Sequence, residues 1–422
     1  MIQLALRNLM RNRWRSGLTL AGVAVAVAML IWSEGLMEAF FQTMIESATG
    51  MQLGDVRIES AAHVKESSVY NAFPSTDALL ASVRRAEGVR AAAPRLLTFG
   101  LLGHRARSQG ALVLGVDPVA ETQATDVASS LVAGEWFKPT APPPSEVQNT
   151  RAMPVVVGRE LANLLAAKVG DQLVVLLQAA DGSMGDSRLR VVGIARTGSG
   201  ELDRQAVWMR LADVAYLAAL EGRAHEIVVR LDKGADLDRS AAAIRAAVAQ
   251  APGPPLIART WQQLVPDLRQ MIDLSKLSML VLYGIVYFIA ALGILNAQRM
   301  TALERKREFA VMMAVGVTPV RLAALVVIEA VLLTGMGAVM GTLLGFGVSS
   351  YHAHAGLNLA AMGSQGFSYA GVDFHSRIYF VVKPAMVFAP ALAVLAVGAL
   401  CGVWPALASA RLKLASAISG RT

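Results

Sequence analysis

Residues 16–33 read SGLTLAGVAVAVAMLIWS and contain no charge. A helix needs about 17–25 apolar residues to cross a bilayer, so this stretch is long enough. Three more stretches pass the same test. Residues 277–298 (LSMLVLYGIVYFIAALGILNAQ) and 384–410 carry no charge, and residues 322–350 carry one, Glu329. Between the first two, residues 34–274 have ordinary globular patterning. The fold class is therefore a membrane protein: four transmembrane α-helices with a large α+β domain between the first and second.

Composition agrees. Of 422 residues, 55% are hydrophobic and only 17% charged, which fits neither disorder nor a nucleic-acid-binding protein of globular composition. The single cysteine, Cys401, excludes an internal disulfide framework and a thiolate zinc cluster.

The distribution of charge sets the expected orientation. Residues 1–33, residues 299–321 and the tail from 406 together hold twelve basic residues against Glu304 and Glu308, a net of +10 where the whole chain has +8. The 34–274 insert has 24 basic and 27 acidic residues. Lys and Arg mark the cytoplasmic side, so both termini and the 299–321 loop are expected in the cytoplasm. The large domain and a short loop at 351–378 are then outside. The first segment exceeds a signal-peptide core and no A-x-A site clearly follows, so it is read as an uncleaved anchor. Ahead of it, MIQLALRNLMRNRWR is either an interfacial amphipathic helix with Trp14 at headgroup depth or a basic flank that fixes topology.

Within the insert, the first helix continues amphipathically to a break at Gly50. Strands are expected in DVRIES, over 89–102 and 105–116, and in PVVVG, QLVVLLQ, SRLRVVGIA, AVWMR and HEIVVRL. Helices are expected over 77–86, RELANLLAA, 211–220 and 238–250. The proline-rich 138–154 stretch reads as an exposed loop.

Catalytic motifs are sparse. The chain has no GxxxxGK[ST] and so cannot by itself be a P-loop ATPase; GxSxG, HExxH and paired CxxC are also missing. His352 and His354 lie together in YHAHAG, but two ligands lack a third, and they are read as loop histidines without a metal. No catalytic residue and no metal site is assigned, and the chain is not expected to be an enzyme.

Gly337, Gly341 and Gly345 form a GxxxGxxxG ridge, echoed by Gly398 and Gly402. Such ridges let helix backbones approach closely, either within one subunit or between two. Glu329, inside the third segment, is expected to face another helix or headgroups in a structural role. Met29, Trp32 and Met37, at the outer end of the first helix, form a candidate apolar cargo surface. The loop NAQRMTALERKREFAVMMAVGVTPVRL reads as a short helix from Thr301 to Val315, charged first and apolar last, stopped at Gly316 and Thr318-Pro319. Its exposed apolar end fits a protein partner; its basic residues also fit lipid headgroups.

ERKREFAVMMAVGVTPVRL followed by IEAVLLTGMGAVMGTLLG resembles the signature of FtsX-type ABC transporter permeases. VVVGRELANLLAAKVGDQLVV and LRVVGIARTGSGELDRQAVWMRLADVAYL resemble the periplasmic domain of the MacB and LolC/LolE group. Met313 departs from the pattern, since many members carry a long polar residue there. The resemblance covers nearly the whole chain. It divides the chain into residues 1–50, 51–270 and 271–422, with later transmembrane helices near 275–298, 320–350 and 384–408.

The resemblance implies a mechanotransmission permease of the bacterial inner membrane. Two such chains, alike or different, pair with a dimer of a separate cytoplasmic ABC ATPase, which binds the ATP and Mg; this chain needs no cofactor. Residues 301–316 would be the coupling helix, with Glu304, Arg305, Lys306, Arg307 and Glu308 making polar contacts, Phe309, Met312 and Met313 packing in an ATPase groove, and Gly316 ending it. The lipoprotein-releasing branch is the nearest likeness: it lifts acylated proteins from the outer leaflet for carriage to the outer membrane. Its partners are lipoprotein or other amphipathic cargo and membrane lipids, not nucleic acid. The alternatives are a MacB-like efflux permease for peptides, toxins or drugs, and an FtsX-like activator of a cell-wall hydrolase, whose outer domain is much smaller.

Overall fold

The computed structural model describes residues 3, 5, 7–8, 13–138, 152–358, 367–369, 372–374 and 377–410. The basic tail from Arg411, most of the first twelve residues, and much of the 138–154 and 351–378 loops lie outside the described residues. The chain divides into two compact units. One joins residues 1–42, 271–365 and 375–422; the other joins residues 43–270 and 366–374.

The first unit is helical. Its long helices are α1 (Arg13–Ala48), α2 (Pro266–Glu304), α4 (Pro319–Ala355) and α5 (Pro384–Ala410), with a short α3 (Lys306–Ala314) between α2 and α4. All four long helices are apolar and long enough to cross a membrane. At 1.5 Å per residue, each spans more than the roughly 30 Å of a hydrocarbon core.

The packing centre is α4. Ala330, Leu333, Thr334, Gly337, Gly341 and Gly345 are among its buried positions. The glycine ridge faces α1 of the same chain: a Cβ on Gly337 would come within 2.8 Å of Val23, and one on Gly341 within 2.5 Å of the Ala24 carbonyl oxygen. Gly345 similarly meets Ala28 and Ile31, while Gly398 and Gly402 on α5 sit against Thr334 and Ala330. Both ridges thus serve packing within one chain. By contrast α2 is largely uncovered, with Leu280, Phe288 and Ile289 each more than 60% exposed.

The second unit contains a ten-stranded mixed sheet. Its strands are β1 (Val56–Ser60), β2 (Val89–His104), β3 (Arg107–Val116), β4 (Leu131–Gly134), β5 (Met153–Gly158), β6 (Gln172–Gln178), β7 (Met184–Ala195), β8 (Ala206–Arg210), β9 (Glu226–Leu231) and β10 (Leu256–Thr260). They run in the order β10-β1-β9-β2-β3-β8-β5-β7-β4, with β6 joining β2 to β7. All neighbours are antiparallel except β3 with β8 and β5 with β7.

The sixteen-residue β2 divides its pairing. Residues 89–95 pair with β9, and residues 100–103 bond β3 on one side and β6 on the other. Pairing therefore runs β2-β3-β8-β5-β7-β6 and returns to β2, closing a six-stranded ring that leaves no free edge there. Alternate residues of the ring, including Leu102, Val113, Val155, Val175, Val191 and Val207, form one core with Leu161, Leu165 and Val214 from the helices Arg159–Leu165 and Leu211–Ala218. A second core lies under β1, β9 and the start of β2, where the helices Asp77–Arg84 and Leu237–Ala249 contribute Leu79, Val83, Ala241 and Ile244. Thr76 and Asp236 cap these helices by accepting from the backbone N–H groups of Leu79 and Arg239. Between the two parts, fully buried Arg95 bonds Glu121 and Glu226, so each buried charge is paired.

Candidate functional site

The end of α2, the short α3, the beginning of α4 and the end of α5 meet in one cluster. The helix read over 301–316 is not continuous. Its first turn belongs to α2, which ends at Glu304; Arg305 leaves helical geometry at φ −99°, ψ 12°, and α3 begins at Lys306. The bounds are corrected for a physical reason: two separate ion-pair sets hold the two sides of the break.

On the α2 side, Arg15 donates from both terminal nitrogens to the Glu304 carboxylate, at 2.7 and 2.8 Å, and from Nη2 to Thr301 Oγ1 at 3.1 Å. On the other side, Arg305 Nη1 donates to both Glu329 oxygens at 2.9 Å and its Nε to Glu308 at 3.0 Å. The Asn8 amide donates to Glu329 Oε1 at 2.5 Å. Glu329 is 3% exposed; a carboxylate so buried in an apolar helix persists because charged and neutral donors share it. The Arg305 guanidinium also lies 5.0 Å from the Phe309 ring centre, in cation–π range.

Apolar packing secures α3. Phe309 is 1% exposed and shares a cluster with Leu322 and Val326 of α4 and Ala406 of α5, with Met312 and Met313 partly buried against it. Gly316 closes the turn at φ +100°, a conformation that favours glycine. Thr318 then caps α4, with Pro319 in its first turn.

The sequence-assigned coupling residues thus divide by direction. Arg305, Glu308, Phe309, Met312 and Met313 contact this chain. Lys306, Arg307 and Gly316 are exposed, and Glu304 is half-exposed while paired to Arg15. Val315, at the apolar end that the sequence marks for a partner, is 82% exposed, and two positions outside that stretch complete the surface: Val311 at 57% and Val320 at 78%, beside Arg321. Val311 and Val315 are one helical turn apart on the face opposite Phe309. The i, i+4 spacing of two valines was the available signal.

The candidate cargo residues differ in exposure. Met29 is 61% exposed, Met37 is half-buried, and half-buried Trp32 packs its ring 5.7 Å from Phe380. His352 and His354 sit in the last turn of α4, where His354 Nδ1 is 2.8 Å from the Ser350 carbonyl oxygen. Among the described residues no group of three or more His, Cys, Asp or Glu side chains is placed to hold a metal ion.

Comparison with known proteins places both units. Residues 16–247 match the model of the MacB-like periplasmic core domain, and residues 280–414 match that of the FtsX-like permease C-terminal. The lipoprotein-releasing system transmembrane protein LolC of Xylella fastidiosa is 24% identical over 348 residues, covering 81% of this chain and 78% of that protein. The macrolide export ATP-binding/permease protein MacB of Sodalis glossinidius is 24% identical over 433 residues, covering 99% of this chain and 60% of that protein. Among solved structures, the periplasmic region of MacB from Actinobacillus actinomycetemcomitans aligns at TM-score 0.37 and 10% identity, over 54% of this chain and 95% of that one. The extracellular domain of the ABC-type transporter YknZ aligns at TM-score 0.31 and 8% identity, over 45% of this chain and 90% of that one.

Proposed function

The chain belongs to the ABC transporter permeases that carry a MacB-like periplasmic core domain, and we propose that it extracts lipoproteins from the outer leaflet of the bacterial inner membrane by mechanotransmission. In this reading the basic ends of the helices face the cytoplasm and the α+β unit faces the periplasm. Two chains pair with two copies of a separate ATPase, which docks on the exposed row of Arg307, Val311 and Val315.

The observation that carries the reading is the fixation of α3. Arg305 ties it to Glu329 of α4, and Arg15 ties the preceding turn to α1. A push on the exposed face of α3 is therefore delivered to two membrane helices rather than absorbed in a loose loop. Lifting an acyl chain from lipid costs about 0.8 kcal/mol per CH₂, work that calls for ATP. The LolC relative, matched over most of both chains, favours lipid-linked cargo.

A second reading, efflux of a peptide, toxin or drug, draws on the MacB relative, whose similarity runs along nearly all of this chain. Purification of the permease with its ATPase, followed by mass spectrometry of bound material, separates the two. Acylated proteins released on ATP addition are the expected result. An unacylated peptide or small molecule released in their place would favour efflux.

A further inference from the structure

At the end of the helical unit that bears α3, a cleft of about 120 Å³ opens between α2 and α5. Arg299, Leu303 and Lys306 line one wall, and Trp404, Pro405 and Ala408 the other. That is about four water volumes, enough to seat a phosphodiester. The Arg299 guanidinium lies over the Trp404 ring, 5.0 Å from its centre. The indole holds the cation in place and remains 54% exposed beside it.

These two cations differ from their neighbours. Arg15 and Arg305 are neutralised by Glu304, Glu308 and Glu329. Among the described residues neither Arg299 nor Lys306 has a carboxylate within ion-pair distance. Two unneutralised cations on an apolar wall call for an anion with an apolar continuation. Above the cleft, α2 continues as an uncovered apolar flank through Leu292, Ile289 and Ile285, each at least half exposed. A tryptophan at headgroup depth with basic residues beside it suits that boundary.

We propose that the cleft of Arg299, Lys306 and Trp404 binds the phosphate of an anionic phospholipid headgroup, with the acyl chains lying along the exposed flank of α2. The Arg307, Val311 and Val315 row remains free for the ATPase. The inference rests on the cytoplasmic orientation proposed above, but binding in micelles does not depend on orientation. Labelling of an Arg307→Cys variant by an impermeant thiol reagent in whole cells reports orientation separately.

The test is native mass spectrometry of the full chain in detergent with added phosphatidylglycerol, phosphatidylcholine or inorganic phosphate. A retained phosphatidylglycerol adduct is expected, weakened about 30-fold in an Arg299→Gln/Lys306→Gln double variant if each cation acts independently. It should be unchanged in Arg321→Gln, an exposed basic position outside the cleft, and only mildly weakened in Arg299→Lys. A matching Tm for the double variant in lipid-free detergent shows that folding is intact. Equal retention of phosphatidylcholine, or unchanged binding in the double variant, would overturn the proposal. Displacement of the lipid by millimolar inorganic phosphate would recast the cleft as a free-phosphate site. Intact lipid binding with loss of the ATPase would assign it to the protein interface.

Discussion

Arg305, at the break that separates α2 from α3, donates from a single nitrogen to both carboxylate oxygens of Glu329 on α4, 2.9 Å from each. The pair is nearly dry: the side chains are 13% and 4% exposed. Its partners come from two parts of the chain that must move together if force on α3 is to reach α4.

Removing one partner leaves the other buried and uncompensated. Glu329→Ala is expected to destabilise the helical unit by roughly 3 kcal/mol, read as a lower Tm in detergent. An apolar replacement of both, Arg305→Met with Glu329→Leu, should recover most of that stability. It should not recover cargo-stimulated ATP hydrolysis, because an apolar contact resists pulling less than a shared carboxylate. Restoration of stimulation together with stability would reduce the pair to packing.

The glycine ridge gives a positional prediction. Gly341→Val places a side chain where the Ala24 carbonyl oxygen already lies, while Gly347→Val, six residues along the same helix, meets open space. The first should cost roughly 3 kcal/mol by forcing α1 from α4. The second should be close to neutral. Expression level and Tm of the two variants, compared side by side, decide it.

How far the sequence carries this site depends on the range of the interaction. QLVVLLQ alternates in the sequence, and in β6 Leu173, Val175 and Leu177 are buried while Val174 and Leu176 are exposed. The glycine spacing likewise announces a close approach, but spacing names no partner; only the packing selects α1 and α5. The closed strand ring was illegible because β2 meets β6 about seventy residues later in the chain, and no local pattern encodes that. β4 escaped because it has four residues, ends in a left-handed Gly134 and is largely exposed. At the site, Phe309 looked like a docking residue because α3 alone gives it nothing to bury against. Its pocket is built from α4 and α5.

His225 predicts a pH response in the second unit. Its Nδ1 accepts the Leu97 backbone N–H at 3.0 Å, so Nε2 carries the proton and faces the Val69 carbonyl oxygen at 3.0 Å. Burial pushes its pKa down from 6.5 to about 4, against the opposing pull of the Val69 carbonyl. The unfolded chain therefore binds the proton first as pH falls, and the neutral-histidine stability, full above pH 6.5, is lost progressively toward pH 4. The loss amounts to roughly 3 kcal/mol at its limit. Asp55 and Asp213, whose carboxyls burial raises, have the opposite sign: their stabilisation is present below 3.8 and lost as pH rises through the folded values. Unfolding of the full chain between pH 8 and 4.5, with His225→Gln flattening the acid slope, checks the assignment.

The exposed face of α3 makes the last prediction, and its value lies in contrast with the buried face. Arg307 and Val315 are exposed and Val315 makes up much of the uncovered apolar surface of the turn. Arg307→Glu with Val315→Asp changes a surface without touching Glu329 or Phe309, so Tm should be unaltered. A docked ATPase would meet a reversed charge and a carboxylate in place of an apolar contact, and its affinity should fall at least about tenfold. Arg305→Ala should differ in lowering Tm, with binding weakened only in proportion to that loss of stability. Pull-down of the ATPase by each variant, alongside its melting curve, reads both quantities. If the surface variant retained full ATPase association, the docking site would have to lie elsewhere on the chain, and α3 would be a structural bracket for the ends of α4 and α5.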